Sequence, residues 1–247
     1  QLDATTGAAT TWNPGANAEV EQLGLFGTAL IAAGHFTQIG GGERLRLAAL
    51  STTGTTDVAL SWNPSLENSA DMLHVDAAGF VFAGGSFNYF GAVPRENLAA
   101  IDLATGGLLN WNPGANGWVR ALDISGTTVF IGGDFLTIAG ADRHYVAALD
   151  GVTGVASSWN PRPDNIVKGL QVLGSTVYFV GEFTHVGVTT ARGRGAAASL
   201  DGTVLPWNPA ADDTIETLFA VGNRVYLGGN FTMAGGASRA LLAAVDS

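Results

Sequence analysis

Apolar residues in this chain come in short runs, none with helical spacing. The stretch from Trp111 to Asp150, with the residues that follow it, shows the pattern most cleanly. Val119 to Ile124 mixes apolar and polar residues over a strand's length, and Ser125-Gly126-Thr127 is a turn signal. Val129-Phe130-Ile131 is β-branched and aromatic, which suits a buried strand. Gly132-Gly133 then permits close backbone approach or a bulge. Leu136 to Asp142 reads as a loop and Tyr145 to Leu149 as a third strand. Gly151 to Gly154 turns the chain, and Val155 to Trp159 reads as a fourth strand. Nowhere does an i, i+3, i+4, i+7 apolar pattern persist, because Gly or Pro interrupts every candidate helix.

The same unit recurs along the whole chain. Trp-Asn-Pro stands at Trp12, Trp62, Trp111, Trp159 and Trp207, in steps of 50, 49, 48 and 48 residues. Gly-x-Phe follows each one, at Phe36, Phe87, Phe135, Phe183 and Phe231. A repeat of this length with four short antiparallel strands is one propeller blade. The expectation is an all-β, five-bladed β-propeller forming a single domain over residues 1–247. Residues 1–12 match only the last part of a repeat, and Arg239 to Ser247 stops after a third strand. The ends therefore complement each other, and the N-terminal strand is expected to complete the last blade and close the ring, leaving no open sheet edge.

Composition narrows the function. The 247 residues are 47% apolar, enough for a large core. No cysteine is present, which excludes a disulfide framework, a Cys-zinc site and a thiol nucleophile. The formal net charge is −10 and Lys168 is the only lysine, so nucleic acid and anionic membrane are poor partners. No apolar run reaches the length of a membrane helix, so no membrane insertion is expected. The surface leans on Thr, Ser, Asn, Gly and Ala, a composition common in secreted and cell-surface modules.

The turn before the repeated tryptophan reads Asp3-x-x-Thr6-Gly7, Asp102-x-x-Thr105-Gly106 and Asp150-x-x-Thr153-Gly154. It resembles the tryptophan-docking motif of quinoprotein (PQQ-like) propellers, in which the Trp packs on the neighbouring blade. The spacing from Gly to Trp is one residue longer here, Ser51 replaces the Asp in the second repeat, and the fifth copy shortens to Asp201-Gly202. The fuller pattern, GG-x-F followed by Arg-x-x-Leu-Ala-Ala-hydrophobic-Asp, resembles bacterial surface propeller repeats of the delta-sixty type. That resemblance covers the whole chain and implies a secreted or surface-attached parent protein. Quinone binding does not carry over, and no cofactor is expected.

Three positions of the repeat carry charge. Nine residues after the Trp come Glu21, Asp71, Arg120, Lys168 and Glu216, with the second repeat's step matching Asp71. An arginine opens each third strand: Arg44, Arg95, Arg143, Arg194 and Arg239. The residue inside Gly-x-Phe is His35, Ser86, Asp134, Glu182 or Asn230, and it is acidic where the first-strand residue is basic. A half-buried arginine needs a partner, so a structural ion pair in each blade is expected; a ligand-binding polar ring is the alternative. Asn17, Glu67, Asn116, Asp164 and Asp212 read as turn caps, too few per loop for calcium. The histidines His35, His74, His144 and His185 fall at four different phases, so no metal site is expected. Trp118 lies outside the Trp-Asn-Pro phase. A ligand site would draw on Trp118, Tyr89, His35, His185, Asp134 and Glu182. There is no Gly-x-Ser-x-Gly elbow, and carboxylates matched by arginines make poor general acids.

The sequence thus reads as a non-catalytic, rigid recognition or structural module of an exported or cell-surface protein or assembly, with a protein or glycan partner. A lectin-like carbohydrate binder and a glycan-active enzyme at the channel mouth are the alternatives.

Overall fold

The computed structural model describes residues 1–53 and 58–247. They form two compact units, Gln1–Asn110 and Trp111–Ser247. Each unit is built of antiparallel three-stranded sheets, one per repeat, with the second strand central. In the first unit these are Val20–Phe26, Ala29–Gly34 and Leu47–Ser51 (blade 1), and Ala70–Val75, Phe80–Gly85 and Leu98–Asp102 (blade 2). In the second they are Val119–Ser125, Thr128–Gly133 and Val146–Asp150 (blade 3), then Val167–Leu173, Thr176–Gly181 and Gly195–Ser199 (blade 4). Ile215–Val221, Arg224–Gly229 and Leu242–Asp246 make blade 5.

Two details differ from the sequence reading. The stretch expected to be a loop is a small hairpin in every blade, Thr137–Ile138 with Ala141–Asp142 in blade 3. The fourth strand is reduced to one bridge to the third strand: Leu50↔Ala59, Ile101↔Leu108, Leu149↔Ala156 and Ala198↔Val204. The chain must leave the sheet that early so that its tryptophan can reach the following blade. Residues 1–12 turn back on themselves in the same way, with Leu2 bridged to Ala9.

The alternation of each second strand sets the core. In blade 4, Val177 and Phe179 point into the cluster shared with blade 3, and Tyr178 and Val180 into the cluster shared with blade 5. Each repeated tryptophan makes the same bond to the blade that follows it. Its indole Nε1 donates to the last carbonyl of the next blade's third strand: Trp12 to Ser51 (3.0 Å), Trp62 to Asp102 (3.3 Å), Trp111 to Asp150 (3.0 Å), Trp159 to Ser199 (2.9 Å) and Trp207 to Asp246 (2.8 Å). The Asp of the following turn accepts from main-chain amides, as Asp150 Oδ1 does from Val152 (3.0 Å) and Thr153 (2.7 Å). The turn glycine lies under the indole: a Cβ on Gly202 would stand 3.4 Å from Trp159 Cδ1.

Candidate functional site

The charged position of each first strand is a β-bulge. The pairing register skips there, at Glu21, Asp71, Arg120, Lys168 and Glu216. A bulge breaks the in-out alternation and re-aims one side chain. The main chain of the Gly-x-Phe residue is fixed alongside, with Asp134 N donating to Trp118 O (2.9 Å) and Glu182 N to Ile166 O (2.9 Å). The two positions are thus neighbours by construction, although 14 residues apart in sequence.

In the second unit the equivalent positions of blades 3, 4 and 5 make a row of polar groups. Arg120 grips Asp134 with two parallel bonds, Nε to Oδ1 and Nη2 to Oδ2, the second at 2.8 Å. The Arg120 guanidinium also lies 4.8 Å from the centre of the Trp118 ring, a cation–π contact. Lys168 Nζ reaches Glu182 (3.1 Å) and, across the blade joint, Glu216 (2.9 Å). Asn230 Nδ2 donates to Glu216 Oε1 at 3.2 Å. Burial pulls the Lys168 pKa down, but its hydrogen bonds to Glu216 and Glu182 outweigh that and hold it above the usual lysine value.

In the first unit His35 Nε2 is 3.5 Å from Glu21 Oε1, and Ser86 Oγ is 3.0 Å from Ser69 Oγ. Asp71 is half-buried on its bulge. Glu19, Glu21 and His35 bring their ligand atoms within 4.8 Å of one another, so they have the side chains to hold a divalent ion. Glu19 was not singled out from the sequence; its i, i+2 spacing from Glu21 on an extended segment was the available signal. All three are exposed. A glycosidase general acid, by contrast, is held in an apolar pocket.

Two sequence readings need correction. The repeated arginines serve the main chain rather than carboxylates. Arg44, Arg95 and Arg143 each send Nη2 to a carbonyl of the bridging fourth segment, at Leu60 (2.8 Å), Leu109 (2.9 Å) and Ser157 (2.5 Å). Nη1 goes to the carbonyl of the preceding residue in each, as it does in Arg239 with Ser238 (2.9 Å). Those carbonyls have no strand partner once the fourth segment departs, and a fork of guanidinium donors supplies it. In blade 4 the equivalent residue is Arg192, which bonds Leu205 O at 2.9 Å, not Arg194. Arg194 stands two residues later, at the left-handed position shared by Arg46, Asn97, Tyr145 and Leu241, and gives Nη1 to Glu182 O.

Of the six suggested ligand residues, the structure joins Trp118 to Asp134 through Arg120, and Glu182 lies on the next blade of the same row. His185 belongs elsewhere: its Nδ1 is 3.1 Å from Asp164 Oδ2 and 2.9 Å from Thr184 Oγ1. His35 and Tyr89 lie in the first unit, Tyr89 exposed on the small hairpin Tyr89–Phe90/Val93–Pro94.

The fifth residue after each tryptophan caps the small hairpin. Asn17, Asn116, Asp164 and Asp212 each accept two consecutive amides on one oxygen, and Glu67 accepts one. The Thr232 hydroxyl, with the Met233 and Thr232 amides, lowers Asp212 to about 2. A depressed carboxylate stabilises the fold fully above its unfolded pKa of about 3.9 and loses that contribution as pH falls toward the folded value. Asp212→Asn keeps the amide bonds, as Asn17 and Asn116 do, and removes the titration. Melting followed from pH 6 down to pH 2 (about the folded value) is expected to show the wild type losing more Tm than the variant over the lower half of that range. Parallel curves would mean that Asp212 has no such linkage.

A scan against models of known protein families finds no match, and a search of curated proteins finds none. Solved structures do match. The WD40 repeats of RRP9 align with a TM-score of 0.57 at 9% identity, over 82% of this chain and 54% of that one. The Pan2 WD40 domain of Neurospora crassa gives 0.55 at 11%, over 85% and 59%. A chain of the Mitotic Checkpoint Complex gives 0.60 at 13%, over 87% and 60%. The fold is a β-propeller. The chain spans a little over half the length of these matched chains, and at such identity the likeness concerns fold alone. Among the described residues no helix is long and apolar enough to cross a membrane.

Proposed function

We propose that this propeller is a non-catalytic recognition and structural module of an exported or cell-surface protein or assembly, and that it meets a protein partner at the polar row of blades 3 to 5. The observation that carries the reading is Trp118. It is 49% exposed, yet its ring is held by Arg120, which Asp134 in turn fixes. An exposed, pre-oriented Trp–Arg pair is the side-chain chemistry of binding hot spots, because little rotamer entropy is left to lose. The carboxylates of the row are matched by Arg120 and Lys168, which supports binding over acid–base chemistry. The net charge of −10 counts against polyanionic partners. The low share of charged residues, 13%, and the resemblance to surface repeats support export.

The test is binding of the immobilised chain to the protein fractions of its host and, in parallel, to a broad glycan panel with calcium and with chelator. Trp118→Ala is expected to weaken the bound protein by about thirtyfold, a hot-spot loss, with Tm unchanged. Saturable binding to one sugar class would replace the protein partner by a glycan. Equal binding by wild type and Trp118→Ala would move the site away from this row.

A further inference from the structure

In blades 3 and 4 the second strand sends one aromatic side chain against the tryptophan that follows its own blade. Phe130 of blade 3 stands edge-on to Trp159 at 5.2 Å. Tyr178 of blade 4 stands edge-on to Trp207 at 5.1 Å. Trp159 also meets the ring of Phe179, from the blade that follows, at 6.4 Å. A ring presented edge-on to an indole fills the joint and adds the attraction between their quadrupoles.

The joint between blades 1 and 2 holds neither kind of ring. By register, Ile31 takes the place of Phe130 and Ala83 that of Phe179. Both are fully buried in one cluster with Trp62. Ala29 stands where blades 2, 3 and 4 have Phe80, Thr128 and Thr176. Beside Trp62, where these side chains are small, lies a cleft of about 490 Å³. The described residues that line it all belong to the first unit. Its volume falls within the range of small-molecule pockets.

The lining sets the chemistry of an occupant. Ala29, Leu60 and Leu103 are apolar, and Ser61 and Asn63 add exposed polar groups. Among the described residues no charged side chain lines the cleft. An ion buried there would stand unpaired, which is costly, so the occupant is neutral. Asn208, the counterpart of Asn63 in the Trp-Asn-Pro of Trp207, uses its Oδ1 to accept the Gly193 and Ala210 amides at 2.9 and 3.0 Å. Among the described residues Asn63 makes no such bond, and its amide remains open to a ligand.

We propose that this cleft binds a neutral small molecule built on one aromatic ring, a phenol being the simplest case. The ring takes the place against Trp62 that Phe130 and Tyr178 hold against their own tryptophans. Its hydroxyl bonds to Ser61 and Asn63. The site shares no residue with the polar row of blades 3 to 5 and does not rest on the function proposed for that row.

The test is a titration of the nitrogen-15-labelled chain with 4-methylphenol, followed at the assigned indole Nε1–H of Trp62. A saturable shift is expected, with a Kd of about 1 mM. 4-Methylcyclohexanol, which has the same size and hydroxyl but no aromatic ring, is expected to bind at least about tenfold more weakly. Ala29→Phe puts into the cleft the side chain that blade 2 carries at Phe80, and is expected to weaken 4-methylphenol by about tenfold or more. Ser61→Ala, at an exposed position, removes one hydrogen bond and is expected to cost about fivefold. Circular dichroism verifies that both variants fold; should Ala29→Phe fail, Ser61→Tyr blocks the cleft from its exposed side. The absence of a saturable shift at Trp62 overturns the proposal. So does equal binding of the phenol and the cyclohexanol, or full binding by a folded variant whose cleft is blocked.

Discussion

Replacing Trp159 by alanine is expected to lower the stability of the chain by about 3–5 kcal/mol, the range for truncating a buried aromatic. The ring is 2% exposed. It stands edge-on to Phe130 of blade 3 at 5.2 Å and to Phe179 of blade 4 at 6.4 Å, so it fills the joint between two sheets. Its Nε1 also satisfies the Ser199 carbonyl at 2.9 Å. Alanine empties the space and leaves that carbonyl without its donor. Trp159→Phe separates the two effects, because it keeps most of the apolar volume and removes the bond, which is worth about 1 kcal/mol. Equilibrium urea unfolding measures both. Trp118→Ala serves as the contrast, since that ring is half exposed. If Trp159→Ala and Trp118→Ala cost the same, the repeated tryptophan does not fasten the blades.

The second large effect is expected at Gly133. A Cβ there would overlap the Trp118 carbonyl oxygen and stand 3.1 Å from Val119 Cα. The obstruction is main chain, which cannot swing aside as a side chain can. The bulge at Arg120 brings the two strands this close, so the glycine and the bulge are one device. Gly133→Ala must push the first strand away, and overpacking of this kind costs about 1–3 kcal/mol. It also pulls Asp134 from the Trp118 carbonyl and loosens the Arg120 pair. The expected result is a lower urea midpoint together with weakened partner binding. Gly126→Ala is the control: it sits in an open turn with nothing within 4 Å of its Cβ, at φ 59. That variant carries only the backbone strain of a left-handed alanine, about 1 kcal/mol, and leaves binding intact. A Gly133→Ala protein with wild-type stability and binding would show that the strands separate freely at the bulge.

The two effects locate what was legible from the chain alone. Spacing of tryptophan, glycine and short apolar runs determined the class of fold, the number of repeats and the strand order within each, because every copy solves the same burial problem with the same residues. The coupling of the first-strand charge to the Gly-x-Phe residue was also visible as co-variation: Arg120 with Asp134, Lys168 with Glu182. Lys168 and Glu216 were legible as charges but not as a pair, since their contact crosses from one blade to the next.

The roles of the arginines were not legible at all. A guanidinium satisfies carboxylates and carbonyls equally well, and only the early departure of the fourth segment exposes the Leu60, Leu109, Ser157 and Leu205 carbonyls that claim it. In Arg192-Gly193-Arg194 two arginines fit one pattern, and the left-handed backbone at Arg194 decides between them. The placement of Trp118 over Arg120 likewise needed the bulge. Local spacing and apolar pattern, which act along the chain, determined the blades. The partners of each charged group depend on where main chain from another strand ends up, and tertiary structure alone decided those.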